Sequence, residues 1–353
     1  MVDFAILDDR ERIGGIDRED MLGVVYKFPD ALEEAVKFAT EALIKNLKNL
    51  RTVVFSGMGG SAVGGDVISA VVANGPEVNF IVNRNYNVPT FAAKGDLFIA
   101  ISYSGNTEET LSSLDEAEKK GMNIVAVSSG GKLSQIARQK GYPLISVPTG
   151  LQPRAALPYV LSPILVLLER LGLADGASDQ IKEAVKVLRN LRDEYVRNGK
   201  GSPVKALANR ILNKAPLIYS CDGLTAAAAR RWMAQLNENG KVLAHTALFP
   251  EMDHNELVGL SNLKRGEHNY SLVILRDEGD LERTKKRIEV TKSLISSQLG
   301  GVWEISSSGK GRLSRVLSLI LYGDFLSVYL AILQGIDPTP VDIIEKLKRE
   351  LAR

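Results

Sequence analysis

Along the chain, short apolar runs alternate with segments whose apolar and charged residues recur at helical spacing. Thr52 to Ser56, Val78 to Val82, Leu97 to Ile101, Asn123 to Val127 and Leu144 to Val147 have strand length and little polar alternation, the pattern of strands buried on both faces. Helical patterns lie between them: an alanine- and valine-rich stretch ending about Ala73, then Glu108 to Lys120, then about Lys132 to Gln139. Ahead of the first strand, Pro29 to Asn46 reads as an amphipathic helix. Strands and helices at this interval predict βαβ units and a parallel sheet covered on both sides. An irregular crossing, Pro148 to Arg154, leads to helical segments at about Ala155 to Leu171 and Asp179 to Arg197, and Asn198 to Pro203 reads as a surface joint. A second cycle follows, with strands at Pro216 to Ser220, Tyr270 to Leu275 and Val302 to Ser306. Its helices are expected at Ala226 to Leu236 and Leu281 to Ser296, before a long apolar helix and the tail Val341 to Leu351. The expectation is an α/β chain of two doubly wound parallel-sheet domains with flanking helices. Residues 1–28 form an N-terminal segment, 29–171 the first domain, 172–203 a helical linker and 204–353 the second domain with its C-terminal helix.

One stretch tests whether this chain is soluble. Val316 to Leu333 has the length of a membrane span, but it contains Gly323 and Asp324 and nothing resembles a second span. It is expected to be a buried central helix. Hydrophobic residues make up 45% of the 353 and charged residues 24%, as in ordinary soluble enzymes. A net charge of +2 provides no basic field for nucleic acid or an anionic membrane. The single cysteine, Cys221, excludes an internal disulfide and fits a reducing cytoplasm. With His245, His254 and His268 it offers no zinc-ligand spacing. Asp3, Asp8, Asp9 and Glu11 make the N-terminus too acidic for a signal peptide.

The chemistry concentrates where two strands stop. Leu97-Phe98-Ile99-Ala100-Ile101 breaks into Ser102-Tyr103-Ser104-Gly105-Asn106-Thr107 and then a helix opening with Glu108 and Glu109. Three hydroxyls, a glycine and a helix N-terminus make an anion cradle without lysine or arginine. Alternatively, Ser104 or Thr107 simply caps the helix. The strand Thr52 to Ser56 runs into Gly57-Met58-Gly59-Gly60-Ser61-Ala62, which satisfies the dinucleotide pattern G-x-G-x-x-A. That reading wants an acid at the tip of the next strand, where Asn83-Arg84 stand instead. Backbone approach to the ligand held by Ser102, Ser104 and Thr107, with Ser61 beside it, is the better use of this loop.

Three segments carry a resemblance: Gly57 to Asp66, Ser102 to Thr110, and Gln152-Pro153-Arg154-Ala155-Ala156-Leu157-Pro158-Tyr159. They resemble the sugar-isomerase (SIS) superfamily and, within it, the bifunctional phosphoglucose/phosphomannose isomerases. The likeness continues through Gln235-Leu236-Asn237-Glu238-Asn239, His254-Asn255-Glu256-Leu257-Val258-Gly259 and Leu347-Lys348, spanning nearly the whole chain in order. No motif position departs from the family's pattern.

The resemblance implies two SIS-type domains and interconversion of fructose 6-phosphate with glucose 6-phosphate and mannose 6-phosphate through a cis-enediol, with no metal or organic cofactor. It assigns sugar-phosphate binding to Gly59, Gly60, Ser61, Ser102, Ser104, Thr107 and Arg154. Glu238 becomes the base moving the proton between C1 and C2. His254, joined by Lys348, assists ring opening. It also implies a homodimer in which His254 reaches the partner subunit's site.

Taken alone, these residues permit the roles without demanding them. Aldose–ketose isomerisation needs a carboxylate over two adjacent carbons. Glu238 ends a mostly apolar helix against its dipole, flanked by amides able to orient it. His254 lies in a loop whose acids could raise its basicity; His245 and His268 have no comparable setting and read as structural. Arg154, in a proline-framed loop, could face an enediolate oxygen or form an ordinary salt bridge. Lys346 and Lys348 share a helix, and the Leu-Lys match favours Lys348. Thr339, before Pro340, is expected near the sugar's C2, where a small residue leaves room for either epimer. The rival readings are a non-catalytic sugar-phosphate-binding regulator, for which no DNA-binding module is visible, and a dinucleotide-dependent oxidoreductase resting on the glycine loop alone.

Overall fold

A computed structural model describes residues 4–39, 50–72, 77–263 and 269–351. His268, Ala73 and the end of the helix expected to reach Asn46 lie outside these residues. The chain divides into two compact units.

One unit comprises Lys27–Leu188 and Ser308–Leu317. Its five strands are β1 (Thr52–Ser56), β2 (Asn79–Asn83), β3 (Leu97–Ile101), β4 (Asn123–Ser128) and β5 (Leu144–Ser146). All neighbours are parallel, in the order β2-β1-β3-β4-β5. Strands β1 and β3 occupy the centre and are buried at every position, so their sequences are continuous apolar runs. Val54, Phe98, Ala100 and Ala126 of the sheet pack with Leu114, Ala117, Leu133 and Ala137 of the helices Glu108–Lys119 and Gly131–Lys140. Burying a side chain as large as Phe98 stabilises the fold by roughly 1.5–3 kcal/mol. Ahead of β1 the expected amphipathic helix runs as Phe28–Glu34 and continues as a 3-10 turn, Ala35–Phe38.

The other unit comprises the residues up to Tyr26, Arg189–Ser307 and Ser318–Arg353. Strands β6 (Ala215–Cys221), β7 (His245–Phe249), β8 (Tyr270–Arg276) and β9 (Val302–Ser306) form a parallel sheet ordered β7-β6-β8-β9. β7 is an edge strand that the apolar pattern missed, because it begins with an exposed histidine and is only partly covered. The N-terminal segment is also more ordered than its polar sequence suggests: Arg10–Ile16 and Met21–Tyr26 are helices, the first capped by Asp9. Asp8 anchors this segment to Lys205 Nζ at 2.8 Å and to the Gly199 amide at 2.8 Å. The expected linker 172–203 is not a separate body, because the division falls inside the helix Ala177–Tyr195, after Leu188.

The long apolar helix is Arg312–Leu333, the one helix among the described residues long and apolar enough to cross a membrane, and its most apolar stretch is entirely buried in the fold. Its polar residues have partners there. Arg231 Nε and Nη2 donate to Asp324 at 2.9 and 2.8 Å, with both side chains 2% exposed. Next to this pair, Trp232 stacks on Tyr322 and donates Nε1–H to the Leu319 carbonyl at 2.7 Å.

Candidate active site

Strand order places a ligand crevice before any side chain is considered. In the five-stranded sheet the connections from β1 and β3 leave in opposite directions, so their carboxyl ends flank the topological switch point. The glycine loop follows β1 and the serine loop follows β3.

Ser102 is fully buried, and its Oγ lies 2.8 Å from Thr107 Oγ1 while accepting the Thr107 amide at 3.3 Å. Thr107 holds the N-cap position of Glu108–Lys119 but makes no side-chain capping bond. The pure capping alternative therefore fails for Thr107, whose hydroxyl pairs with that of Ser102 instead of a helix amide. Ser104 is exposed and accepts the Asn106 amide at 3.3 Å. Gly105 has φ +72°, and a Cβ there would lie 1.8 Å from the Gly130 carbonyl oxygen. That approach seats the serine loop on the loop after β4, where the Leu133 amide donates to Gly105 O at 2.9 Å.

Tyr103, which sequence reasoning passed over, ties this loop to the proline-framed crossing. Its hydroxyl donates to Pro148 O at 2.8 Å and accepts the Leu151 amide at 2.9 Å. Burial pushes its phenol above the ordinary value, despite the opposing Leu151 bond, so the group stays neutral. Three residues further on, Arg154 lies in the short turn Pro153–Ala155 and is 2% exposed. Its backbone abuts Gly60: a Cβ there would come within 2.9 Å of both Arg154 Cα and Pro153 O. Gly59 and Gly60 open the helix Gly59–Val72, and Ser61 in its first turn is buried. Gly60, Ser61, Ser102, Thr107 and Arg154 are thus held by three loops of one unit, linked through Tyr103 and the Gly60–Arg154 contact. Asn83 and Arg84 serve structure instead: Asn83 Nδ2 donates to Ser56 Oγ at 3.4 Å, and Arg84 pairs with buried Asp66.

The matching crevice of the four-stranded sheet is unsuited to an anion. Cys221 and Arg276 end β6 and β8, and Asp222, Asp277 and Asp280 follow them. Asp280 accepts from Arg276 Nε at 3.2 Å, and Asp277 accepts from Ser307 Oγ at 2.6 Å. Burial first, then Asp280, raises the Cys221 thiol to about 12, leaving it inert as a nucleophile.

Glu238 is the last residue of the helix Leu224–Glu238 and is half-buried. The flanking amides tie down the helix end: Asn237 Nδ2 donates to Met233 O at 2.8 Å, and buried Asn239 donates to Ser327 Oγ at 3.1 Å. Lys241, also missed in the sequence, donates to the Glu238 carbonyl. Gln235, one turn before Glu238, buries an Oε1 without a hydrogen-bond partner among the described residues.

His254 ends the short turn Glu251–His254 and is exposed. The acids expected to support it are engaged elsewhere. Asp253 accepts from Thr291 Oγ1 at 2.8 Å and faces Arg287 at 3.4 Å, while Glu256 accepts from Tyr219 OH at 2.5 Å and lies 3.5 Å from His245 Nε2. Lys346 and Lys348 lie exposed on the helix Asp342–Leu351, beside an uncovered apolar stripe of Ile343, Ile344, Leu347 and Leu351. Thr339 is buried, and its amide donates to Asp337 Oδ1 at 3.0 Å. Among the described residues no group of His, Cys, Asp and Glu could hold a metal ion.

Residues 46–155 match the SIS domain family, and residues 200–351 match the bacterial phospho-glucose isomerase C-terminal SIS domain. A bifunctional phosphoglucose/phosphomannose isomerase of Caldicellulosiruptor bescii is 41% identical over 335 residues, covering 94% of this chain and 99% of the relative. The chain belongs to this isomerase family. A second member, from Aquifex aeolicus, is 37% identical over 90% of this chain and 95% of its own. A more distant relative from Sulfolobus acidocaldarius, a D-glucosamine-6-phosphate 4-epimerase, is 30% identical over 88% of the chain and 94% of its own. Among solved structures, a hypothetical protein from Thermus thermophilus aligns with a TM-score of 0.74 at 17% identity, covering 98% of this chain and 94% of that one. It shares this chain's fold.

Proposed function

We propose that this chain interconverts fructose 6-phosphate with glucose 6-phosphate and with mannose 6-phosphate. The observation that carries the reading is the end-to-end likeness to bifunctional phosphoglucose/phosphomannose isomerases, 41% identical across 99% of one relative. The neutral hydroxyl cradle after β3 suits the phosphate these substrates share. Ser102, Ser104 and Thr107 would bind it with the backbone at Gly59, Gly60 and Ser61, through hydrogen bonds and the helix N-terminus. The hydroxyls and amides of these loops carry no net charge, and the cation placed with them, Arg154, is already buried before the ligand arrives.

His254, aided by Lys348, exchanges protons with the ring oxygen and the anomeric hydroxyl (on C1 of the aldoses, on C2 of the ketose), which opens the sugar. Glu238 then takes a proton from the carbon beside the carbonyl and returns it to the former carbonyl carbon, while the hydroxyl proton passes from one enediol oxygen to the other. Between the two transfers charge builds on the enediolate oxygens, and Arg154 stabilises it. Return of the proton to one face or the other of C2 gives glucose or mannose phosphate, and Thr339 leaves space for both epimers. No step calls on a metal or an organic cofactor. The enzyme acts as a cytoplasmic homodimer, with His254 contributed across the interface. The exposure of His254 at the end of its turn supports that placement.

A coupled assay with glucose 6-phosphate, mannose 6-phosphate and glucosamine 6-phosphate side by side tests the reading. The first two are both expected to yield fructose 6-phosphate, unaffected by EDTA. Turnover of glucosamine 6-phosphate alone would overturn it, and binding without turnover of any substrate would favour the regulator.

A further inference from the structure

Lys241 stands three residues beyond Glu238, with its backbone in the left-handed region at φ +53°. An L side chain stays in that conformation only where its surroundings hold it. Lys241 is half-buried, and Nζ donates to three backbone carbonyls: Glu238 at 2.5 Å, Pro340 at 2.6 Å and Pro338 at 3.0 Å. Three donors on one ammonium match three acceptors. The Glu238 carbonyl belongs to a helix C-terminus, where a cation is favoured. The other two carbonyls bracket Thr339 and immediately precede the helix Asp342–Leu351 that bears Lys348.

We infer that Lys241 is a positioning residue of the isomerase, clamping the base-bearing helix end to the loop that shapes the C2 pocket. The inference rests on Glu238 being the base proposed above. A carboxylate that must reach two adjacent carbons tolerates little displacement, and an error of about 1 Å costs on the order of a hundredfold in rate. The segment is held on its other side by independent bonds. Asn239 Nδ2 donates to Ser327 Oγ, and Gln334 Nε2 donates to Gly240 O at 2.8 Å. Those bonds fix Asn239 and Gly240 to the long helix and its end, whereas the ammonium sets the spacing from Glu238 to Pro338 and Pro340. Without it, Glu238 and the Thr339 loop lose a shared reference point while the fold keeps its other ties.

Three variants separate positioning from bulk stability. Lys241→Met keeps the length without the cation, Lys241→Gly suits the backbone and removes the arm, and Lys241→Arg retains a cation. For each, kcat and KM are measured with both hexose phosphates, together with inhibition by inorganic phosphate and the thermal midpoint. The expected result for Met and Gly is a roughly tenfold to hundredfold loss of kcat, with KM and phosphate inhibition nearly unchanged. The mannose-to-glucose turnover ratio should also shift, and Arg should recover part of kcat. Wild-type kcat and ratio in folded Lys241→Gly would overturn the inference, as would losses that merely follow the thermal midpoint. Should Lys241→Met and Lys241→Gly not fold, Lys241→Gln serves in their place: a wild-type kcat and ratio there would overturn the inference, and a kcat loss at unchanged KM that Lys241→Arg reduces would support it. Glu238→Gln is run in parallel. Full turnover there overturns the base itself, while its inactivation beside wild-type behaviour of the Lys241 variants overturns the clamp alone.

Discussion

Gly60→Ala tests whether the glycine loop and the Arg154 loop form one anion site. The added methyl would lie 2.9 Å from the Pro153 carbonyl oxygen and 2.9 Å from Arg154 Cα, against an ordinary contact of 3.4 Å or more. One loop must therefore recede by about 0.5 Å, and because both obstructing atoms are backbone, no rotamer change relieves the clash. A hydrogen bond to an anion operates over a narrow range, about 2.7–3.2 Å, so that shift removes or weakens one such bond. A bond of this kind contributes about 1.5–3 kcal/mol, which corresponds to about a tenfold to hundredfold rise in KM for the sugar phosphate. The same clash costs roughly 1–3 kcal/mol of stability. Steady-state kinetics, competitive inhibition by inorganic phosphate and thermal melting read the three effects separately. A folded Gly60→Ala enzyme with wild-type KM and wild-type phosphate inhibition would refute the shared site.

Arg231→Met leaves the Asp324 carboxylate uncompensated at 2% exposure; urea unfolding should show a loss of roughly 3–5 kcal/mol, largely restored in Arg231→Met/Asp324→Leu. A single variant costing no more than a surface pair would show the bond to be unimportant. Glu304 is pushed up by burial, but hydrogen bonds from Lys292 and Arg276 outweigh this and hold its carboxyl below the ordinary 4.5. Its contribution is therefore present above that value and lost as pH falls through the depressed one, so the stability gap between wild type and Glu304→Gln should shrink as pH is lowered from neutrality past the ordinary carboxylate value. A gap that widens on acidification would contradict the sign. Thr339→Gln should depress mannose 6-phosphate turnover more than glucose 6-phosphate turnover in the coupled assay, and equal losses would remove Thr339 from C2 discrimination.

Legibility in the sequence followed burial and local chemistry. The fully buried strands β1 and β3 and the nearly buried β4 announce themselves as unbroken apolar runs, and Ser102, Ser104 and Thr107 stand out because they are packed into six residues after one of them. The edge strand β7 did not, since half-exposed positions carry histidine and threonine rather than a continuous apolar run. Lys241 and Tyr103 were invisible for another reason. Each acts on backbone carbonyls or amides distant in sequence, up to Pro340 and Leu151, and a backbone partner leaves no trace in residue type. The acids around His254 misled in the opposite sense: proximity in sequence suggested support for the imidazole, whereas folding turns Asp253 toward Thr291 and Glu256 toward Tyr219. The loops that follow the strand ends differ in residue type, hydroxyls after β3 and aspartates after β6 and β8, and that difference is visible in the sequence itself.

The central claim is that Glu238 moves the proton while the hydroxyl loops do the binding. It is tested most directly by the turnover of Glu238→Gln set against its affinity for fructose 6-phosphate by calorimetry. The account predicts that kcat falls by about 10²–10⁴-fold toward both hexose phosphates, with the dissociation constant nearly unchanged. Near-normal turnover, or an affinity that collapses together with the rate, would contradict it.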